Sequence, residues 1–342
     1  MRLPIETPNF RLRAYRPEDA APLVAQRADP TTAKWQDFAA PYTLEKTEAL
    51  IADLMTRSDL VPGQWWGAVI ADSSANTYIG SVGAKLAEHG HSAEIGYALC
   101  VDQRGKGIAT AAVERVCEEL FARPQINRVD ASLHPDNVAS AMVLERLGMV
   151  YEGTSRQSFW VEDDCSDDPH YAMLRSEWEA WRDRRRTPPN EVHFVEITEA
   201  NLYQVCALTT HHSQRRFIPS IDRSLADALV PPSDNGMPLV PWYRAIAADG
   251  ELVGFIMLAD VSPTNPDPYL WRLLIDRMHQ RRGIGRRVLE LLVTDRRSKA
   301  DRRLVVHFVE GLGSPAPLYL KFGFIPTGSF DSSRETEAAL IL

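Results

Sequence analysis

The stretch Val101-Asp102-Gln103-Arg104-Gly105-Lys106-Gly107-Ile108-Ala109-Thr110 lies between two patterned runs. Ala93 to Cys100 is apolar and reads as a strand, and Thr110 to Phe121 is periodic and reads as a helix. Ala112, Val113, Val116, Leu120 and Phe121 fall on one face of that helix. A strand that empties through glycines into a helix start presents unpaired backbone N–H groups at the positive end of the helix dipole. Such a turn binds anions, phosphates above all. Gly105 and Gly107 have no Cβ, so a diphosphate can approach the main chain there. A single Gly-x-Gly stretch is more often an ordinary strand-to-helix turn.

A second copy changes that weighting. Leu270 to Ile275 is another strand candidate, and it runs through Asp276 into Gln280-Arg281-Arg282-Gly283-Ile284-Gly285 and a periodic helix from Arg286 to Val293. Arg104-x-x-Gly107-x-Ala109 therefore returns as Gln280-x-x-Gly283-x-Gly285, at a spacing of 283 minus 107, or 176 residues. Other landmarks keep nearly the same offset: Gly80 returns as Gly254, Gly148-Met149 as Gly323-Phe324, and Glu152-Gly153 as Thr327-Gly328. A period this long means a duplicated domain rather than a solenoid. Neither loop has the third glycine of a Gly-x-Gly-x-x-Gly dinucleotide fingerprint.

The chain of 342 residues suits two domains, each able to bury a core. Consecutive prolines in Thr187-Pro188-Pro189-Asn190 stop a helix, which predicts domains over 1–183 and 191–342 with a linker at 184–190. Hydrophobic residues make up 44% and charged residues 25%, and no apolar run approaches the roughly 18 residues of a membrane span. Met1 to Glu6 has no apolar signal-like core, and Cys100, Cys117, Cys165 and Cys206 lack metal or framework spacing. The expectation is a cytoplasmic protein with reduced thiols, no membrane partner and no metal. His211-His212 has no further ligand at metal spacing. A net charge of −8 argues against a nucleic-acid partner and leaves a cationic amine unrepelled. Trp65, Trp66 and Trp242 read as sheet or core aromatics, and the acidic run from Glu162 to Asp168 reads as a solvated loop.

On these loops and landmarks each half resembles the GNAT superfamily of acetyl-CoA-dependent N-acetyltransferases. Over residues 8–182, Glu94-Ile95-Gly96-Tyr97, Pro135-x-Asn137-x-Ala139-Ser140 and Glu145 to Met149 resemble the bacterial ribosomal-protein N-terminal acetyltransferases. In the second half, Gln214 to Ser220, Ser224 to Ala228 and Trp271 to Asp276 resemble the polyamine acetyltransferases. The implied fold class is α/β (α+β), each domain a mixed, mostly antiparallel sheet flanked by helices. The implied cosubstrate is acetyl-CoA, without a metal. In the first half it would be held by Val101, Arg104, Gly105, Lys106, Gly107, Ile108, Ala109, Thr110 and Asn137. In the second it would be held by Ile275, Gln280, Arg281, Arg282, Gly283, Ile284, Gly285 and Arg286.

Acetyl transfer to an amine needs a neutral amine, donors to the thioester oxygen and a proton for the departing thiolate. The resemblance implies backbone donors near Val101 and Ile275, and Glu94 as the base of the first half. It also implies Ser140 as proton donor, because Leu144 stands where the common tyrosine would be and Ser140 lies one helical turn earlier. The second half has the tyrosine, Tyr319, but Leu312 replaces the usual asparagine and Pro315 and Pro317 crowd the helix start. The first half is therefore the expected catalyst. The acceptor stays open between a peptide N-terminus and a small, antibiotic-like or polyamine amine, and the sequence sets no oligomeric state. A non-catalytic acyl-CoA-binding scaffold is the alternative.

Overall fold

The computed structural model describes residues 1, 3–35, 42–161, 163–234, 237–331 and 334–342, in two units, Met1–Arg182 and Asp183–Leu342. The first is built on strands β1 (Ile5–Glu6), β2 (Phe10–Arg13), β3 (Trp65–Asp72), β4 (Tyr78–Leu86), β5 (Ser92–Leu99), β6 (Arg128–Ser132), β7 (Val150–Val161) and β8 (Asp164–Leu174). Its helices are α1 (Ala20–Ala28), α2 (Pro30–Ala33), α3 (Leu44–Met55), α4 (Ile108–Phe121), α5 (Val138–Arg146) and α6 (Arg175–Asp183). The sheet order is β1-β2-β3-β4-β5-β6-β8-β7, and only β5 and β6 run parallel.

This sheet is buried on both faces, which is why β3 reads as an almost unbroken apolar run from Trp66 to Ala71. Against one face packs α4, whose Ala112, Val113, Val116, Cys117 and Leu120 recur at helical spacing and are wholly buried. Against the other pack Leu23 of α1 and Ile51 and Leu54 of α3. Thr43 caps α3 by accepting from the Lys46 N–H at 3.3 Å, and Asn137 caps α5 by accepting from the Ser140 N–H at 3.1 Å.

The second unit carries β9 (Val192–Val195), β10 (Ser233–Asp234), β11 (Met237–Pro238), β12 (Val240–Ala248), β13 (Glu251–Asp260), β14 (Tyr269–Ile275), β15 (Arg303–Phe308), β16 (Ile325–Phe330) and β17 (Thr336–Ile341). Its helices are α7 (Leu202–Ala207), α8 (Ile221–Leu229), α9 (Ile284–Ser298) and α10 (Ala316–Phe322). The main sheet runs β9-β12-β13-β14-β15-β17-β16, strand for strand the order β2-β3-β4-β5-β6-β8-β7 of the first, with β14 and β15 as its parallel pair. The inferred duplication is thus written into the topology. Gly80 and Gly254 hold matching places: a Cβ on either would come within 2.5 Å of the Ala98 carbonyl or 2.3 Å of the Leu274 carbonyl on the adjoining strand.

One sequence reading needs correction. The acidic run is not a loop: Asp164 to Asp168 opens β8, paired with β7 through Val161↔Asp164, Trp160↔Cys165 and Phe159↔Ser166, while Glu162 lies outside the described residues. The residues read as a linker, 184–190, carry hydrogen bonds to the second unit. Arg282 Nε donates to the Thr187 carbonyl at 3.0 Å, and Arg287 Nη1 donates to those of Pro189 and Asn190 at 2.7 and 3.1 Å.

Candidate active site

β5 pairs with β4 from Leu86↔Ala93 to Gly80↔Leu99, but with β6 only from Ser92↔Arg128 to Glu94↔Asp130. Past Glu94 the parallel strands part, and β5 turns an edge of main-chain N–H and C=O groups to the opening. In the second unit the parallel ladder is two pairs long, Tyr269↔Val305 and Leu270↔Val306, so β14 and β15 part as well. Each opening ends at the glycine loop that follows β5 or β14.

The two loops share one backbone conformation. Gly105 and Arg281 are left-handed at φ 75° and 64°, and Gly107 and Gly283 at 80° and 77°. Gly107 and Gly283 then cap α4 and α9, with Ala111 and Arg287 N–H groups donating to their carbonyls at 3.1 and 3.2 Å. The N–H groups of Ile108, Ala109 and Thr110, and of Ile284, Gly285 and Arg286, belong to first turns whose donors have no partner within the helix. The side chains of Ile108 and Ile284 are buried and anchor those turns, Gly285 packs against Leu318, and Val101, Lys106, Arg281 and Arg286 are exposed.

Several loop residues assigned to the cosubstrate from sequence have internal partners for their side chains. Arg104 Nε reaches the Leu99 carbonyl at 3.4 Å and its Nη1 donates to Thr31 Oγ1 at 2.9 Å, with Nη2 on Thr32. Gln280 does the same in the second unit, donating to the Ile275 carbonyl at 3.1 Å and to Gln214 Oε1 at 2.8 Å. The first residue of each motif therefore ties the loop to the end of its strand. Arg282 is 3% exposed, and it bonds Thr187 and His279 rather than facing outward.

Ser140 sits in the first turn of α5, where Asn137 holds its N–H, and its Oγ donates to the Tyr97 hydroxyl at 2.8 Å. The Tyr97 hydroxyl in turn donates to the Ser140 carbonyl at 3.0 Å. This pair joins β5, beyond the parting point, to the helix that follows β6. Burial pushes the Tyr97 phenol well above its ordinary pKa, so it stays neutral and hydrogen-bonding at physiological pH.

On the sheet face bearing Glu94 lies a cleft of about 590 Å³, lined by Glu94 of β5, Arg128, Asp130 and Ser132 of β6, Glu152 and Ser155 of β7, and His170 of β8. Arg128 grips Glu152 through two bonds of 2.8 and 2.6 Å and reaches Asp130 less closely, at 3.3 Å. Ser155 Oγ and His170 Nε2 are 2.9 Å apart. Burial raises the Asp130 carboxyl above the ordinary range against the pull of Arg128, whereas Arg128 lowers that of Glu152. Trp65 is 37% exposed and its indole lies over Gly96, two residues past Glu94, while Trp66 is buried as expected.

In the second unit Tyr319 is 6% exposed on α10, with ring centroids 6.2 Å from Phe308 and 5.7 Å from Phe324. Burial alone pushes its phenol far up. Pro315 stands at the N-cap of α10, and Ser314 Oγ accepts from the Ala316 N–H at 3.1 Å, a capping duty that Asn137 performs in the first unit.

Residues 9–150 match the family model described as "Acetyltransferase (GNAT) domain", and residues 207–324 match "Acetyltransferase (GNAT) family". The probable N-acetyltransferase YjcK of Bacillus subtilis is 30% identical over 135 residues, which is 39% of this chain and 74% of that protein. The chain belongs to the GNAT acetyltransferase family. It is an acyltransferase with two GNAT domains in tandem. The first GNAT domain is also similar to the putative ribosomal N-acetyltransferase YdaF of B. subtilis, at 29% identity over 183 residues, 50% of this chain and 94% of that protein. A crystal structure described as a probable acetyltransferase is 27% identical, covering 52% of this chain and 99% of that one at a TM-score of 0.46. Of the residues at the first unit's opening and cleft, Tyr97 was legible only as part of a resembling tetrapeptide, and Asp130 and His170 carried no signal in the sequence.

Proposed function

We propose that the first half transfers an acetyl group from acetyl-CoA to a primary amine, the α-amine of a peptide or a small cationic amine. The observation that carries this reading is the parting of β5 and β6, with Glu94 at its apex and the hydrogen-bonded Ser140–Tyr97 pair across it. The loop N–H groups of residues 105–110 hold the diphosphate, and the thioester lies along the free edge of β5. Glu94 accepts the ammonium proton, the neutral amine attacks the carbonyl carbon, and main-chain donors near Val101 stabilise the oxyanion. Collapse breaks the C–S bond, and Ser140, held by Asn137 and Tyr97, supplies the proton to the leaving thiolate. A peptide acceptor is favoured by the likeness to YdaF, whose name gives a ribosomal acceptor.

The second half is read as a binding unit. Its loop repeats the left-handed pair, but its parallel ladder carries Tyr269, Val305, Leu270 and Val306, with no carboxylate, and Tyr319 is enclosed in an aromatic stack. The test is coenzyme A release from acetyl-CoA with a panel of free-amine peptides and small amines, together with product masses. A gain of one acetyl group on an amine is expected; absence of turnover across the panel, with acetyl-CoA bound, would leave only the scaffold reading.

A further inference from the structure

The mechanism above uses one carboxylate of the cleft and leaves Asp130 without a task. Glu94 and Asp130 are directly opposed in the last pair of the parallel ladder. In-register neighbours on adjacent strands stand about 4.8 Å apart and project to the same face. Both side chains line the same cleft, at the point where the strands part. We propose that Asp130 is a second proton acceptor of the acceptor site, and that Glu94 and Asp130 together grip the ammonium group and remove its proton. This rests on the reading of the first half as an amine acetyltransferase.

Arg128 is the cation nearest Asp130, but its two stronger bonds go to Glu152, so Asp130 is the less compensated carboxylate. The charged groups around the pair are Lys85 on β4, opposite Glu94, Arg128 on β6, Glu152 on β7, and Asp168 and His170 on β8. A cleft with several carboxylates and one arginine already committed suits an incoming cation. The proton balance closes in two transfers: the ammonium gives one proton to the carboxylate pair and its freed lone pair forms the C–N bond, then the C–S electrons leave with the sulfur, and the second proton lost from nitrogen replaces the one that Ser140 gives the thiolate. The raised Asp130 carboxyl supports the assignment, since a base works best with a pKa drawn toward the operating pH. The second half has Tyr269↔Val305 and Leu270↔Val306 in the corresponding ladder, so the carboxylate pair is particular to the first.

A base of this kind costs the fold rather than supporting it. Because folding raises the Asp130 pKa, its contribution to stability is present below the ordinary carboxylate pKa and is lost as pH rises through the raised value. Asparagine at 130 escapes that loss. The full-length Asp130→Asn protein is therefore expected to unfold at the wild-type temperature or higher near pH 7, and to bind acetyl-CoA as the wild type does. Its kcat with a basic tripeptide bearing a free α-amine should fall about 10²-fold, with Asp130→Glu recovering most of the loss. The acidic limb of its kcat/KM profile should move to lower pH, because the raised Asp130 carboxyl no longer titrates there. The Glu94→Gln/Asp130→Asn double variant should lose far less than the product of the single losses. Calorimetric binding of the tripeptide in the presence of coenzyme A should weaken in Asp130→Asn, which tests the pair independently of turnover. Wild-type kcat and an unmoved profile in Asp130→Asn, or a loss of kcat that follows a lowered unfolding temperature, would overturn the proposal. Peptide binding without turnover in the wild type would instead contradict the acetyltransferase reading.

Discussion

Gly105 and Arg281 hold the same left-handed backbone, and only one of them is a glycine. A non-glycine residue there costs about 1–2 kcal/mol, so Arg281→Gly should leave the second unit at least as stable, as thermal unfolding would record. Gly107 at φ 80° has open space around it, so a side chain there meets no protein atom but strains the turn and fills the front of the loop. Gly107→Val is expected to raise the acetyl-CoA dissociation constant of one site about tenfold or more by calorimetry. Ser140→Ala should lower kcat by about 10²–10⁴-fold with cosubstrate binding intact. Tyr97→Phe removes the acceptor for the Ser140 hydroxyl and should cost about 1–2 kcal/mol, or 5- to 30-fold in kcat. The Asn137 cap was legible because cap spacing is a local pattern, and Ser140 entered only through the resemblance. Asp130 and Tyr97 were not legible, because a polar residue in an alternating strand looks the same whether it faces solvent or a cleft. For Arg104, Gln280 and Arg282 the motif gives the positions but not the direction of the side chains.

Among the elements, strong periodicity made α4 readable to within two residues, Thr110 to Phe121 against Ile108–Phe121, and the Asp249-Gly250 turn that joins β12 to β13 is left-handed at both residues. The outer part of the β7–β8 hairpin was not readable, since its strands are too polar there to signal themselves and pair only with each other, beyond the His170 to Leu174 stretch that β6 holds. The register that opposes Glu94 to Asp130 is likewise invisible in the sequence, because parallel strands meet only through a crossover of about 30 residues. Elements also meet through buried charge: Arg13 at the end of β2 grips Asp19 through bonds of 2.7 and 2.8 Å, with both side chains almost fully enclosed. Asp19→Ala leaves that guanidinium without its counter-ion and should destabilise the first unit by about 3–5 kcal/mol in denaturant unfolding.

At the scale of the whole molecule, one strand order and one loop conformation occur twice, while the chemistry at the parting strands differs. Duplication was readable from a repeated spacing and part of the divergence from Leu312 and Tyr319, but the unmatched carboxylate pair needed the ladders. Tyr319→Phe should therefore leave kcat for the first-half reaction unchanged. With a net charge of −8 and an acidic cleft, kcat/KM for a multiply charged amine should fall more steeply with salt than for a singly charged one, as the Debye length shrinks from about 10 Å at 0.1 M. The central claim is that the first half is the catalyst, and the most direct measurement is coenzyme A release by the full-length chain carrying Gly107→Val or Gly283→Val, with acetyl-CoA near the wild-type KM and a free-amine peptide as acceptor. The account predicts that Gly107→Val loses most of the turnover and Gly283→Val keeps it. Turnover that survives Gly107→Val and disappears with Gly283→Val would contradict it.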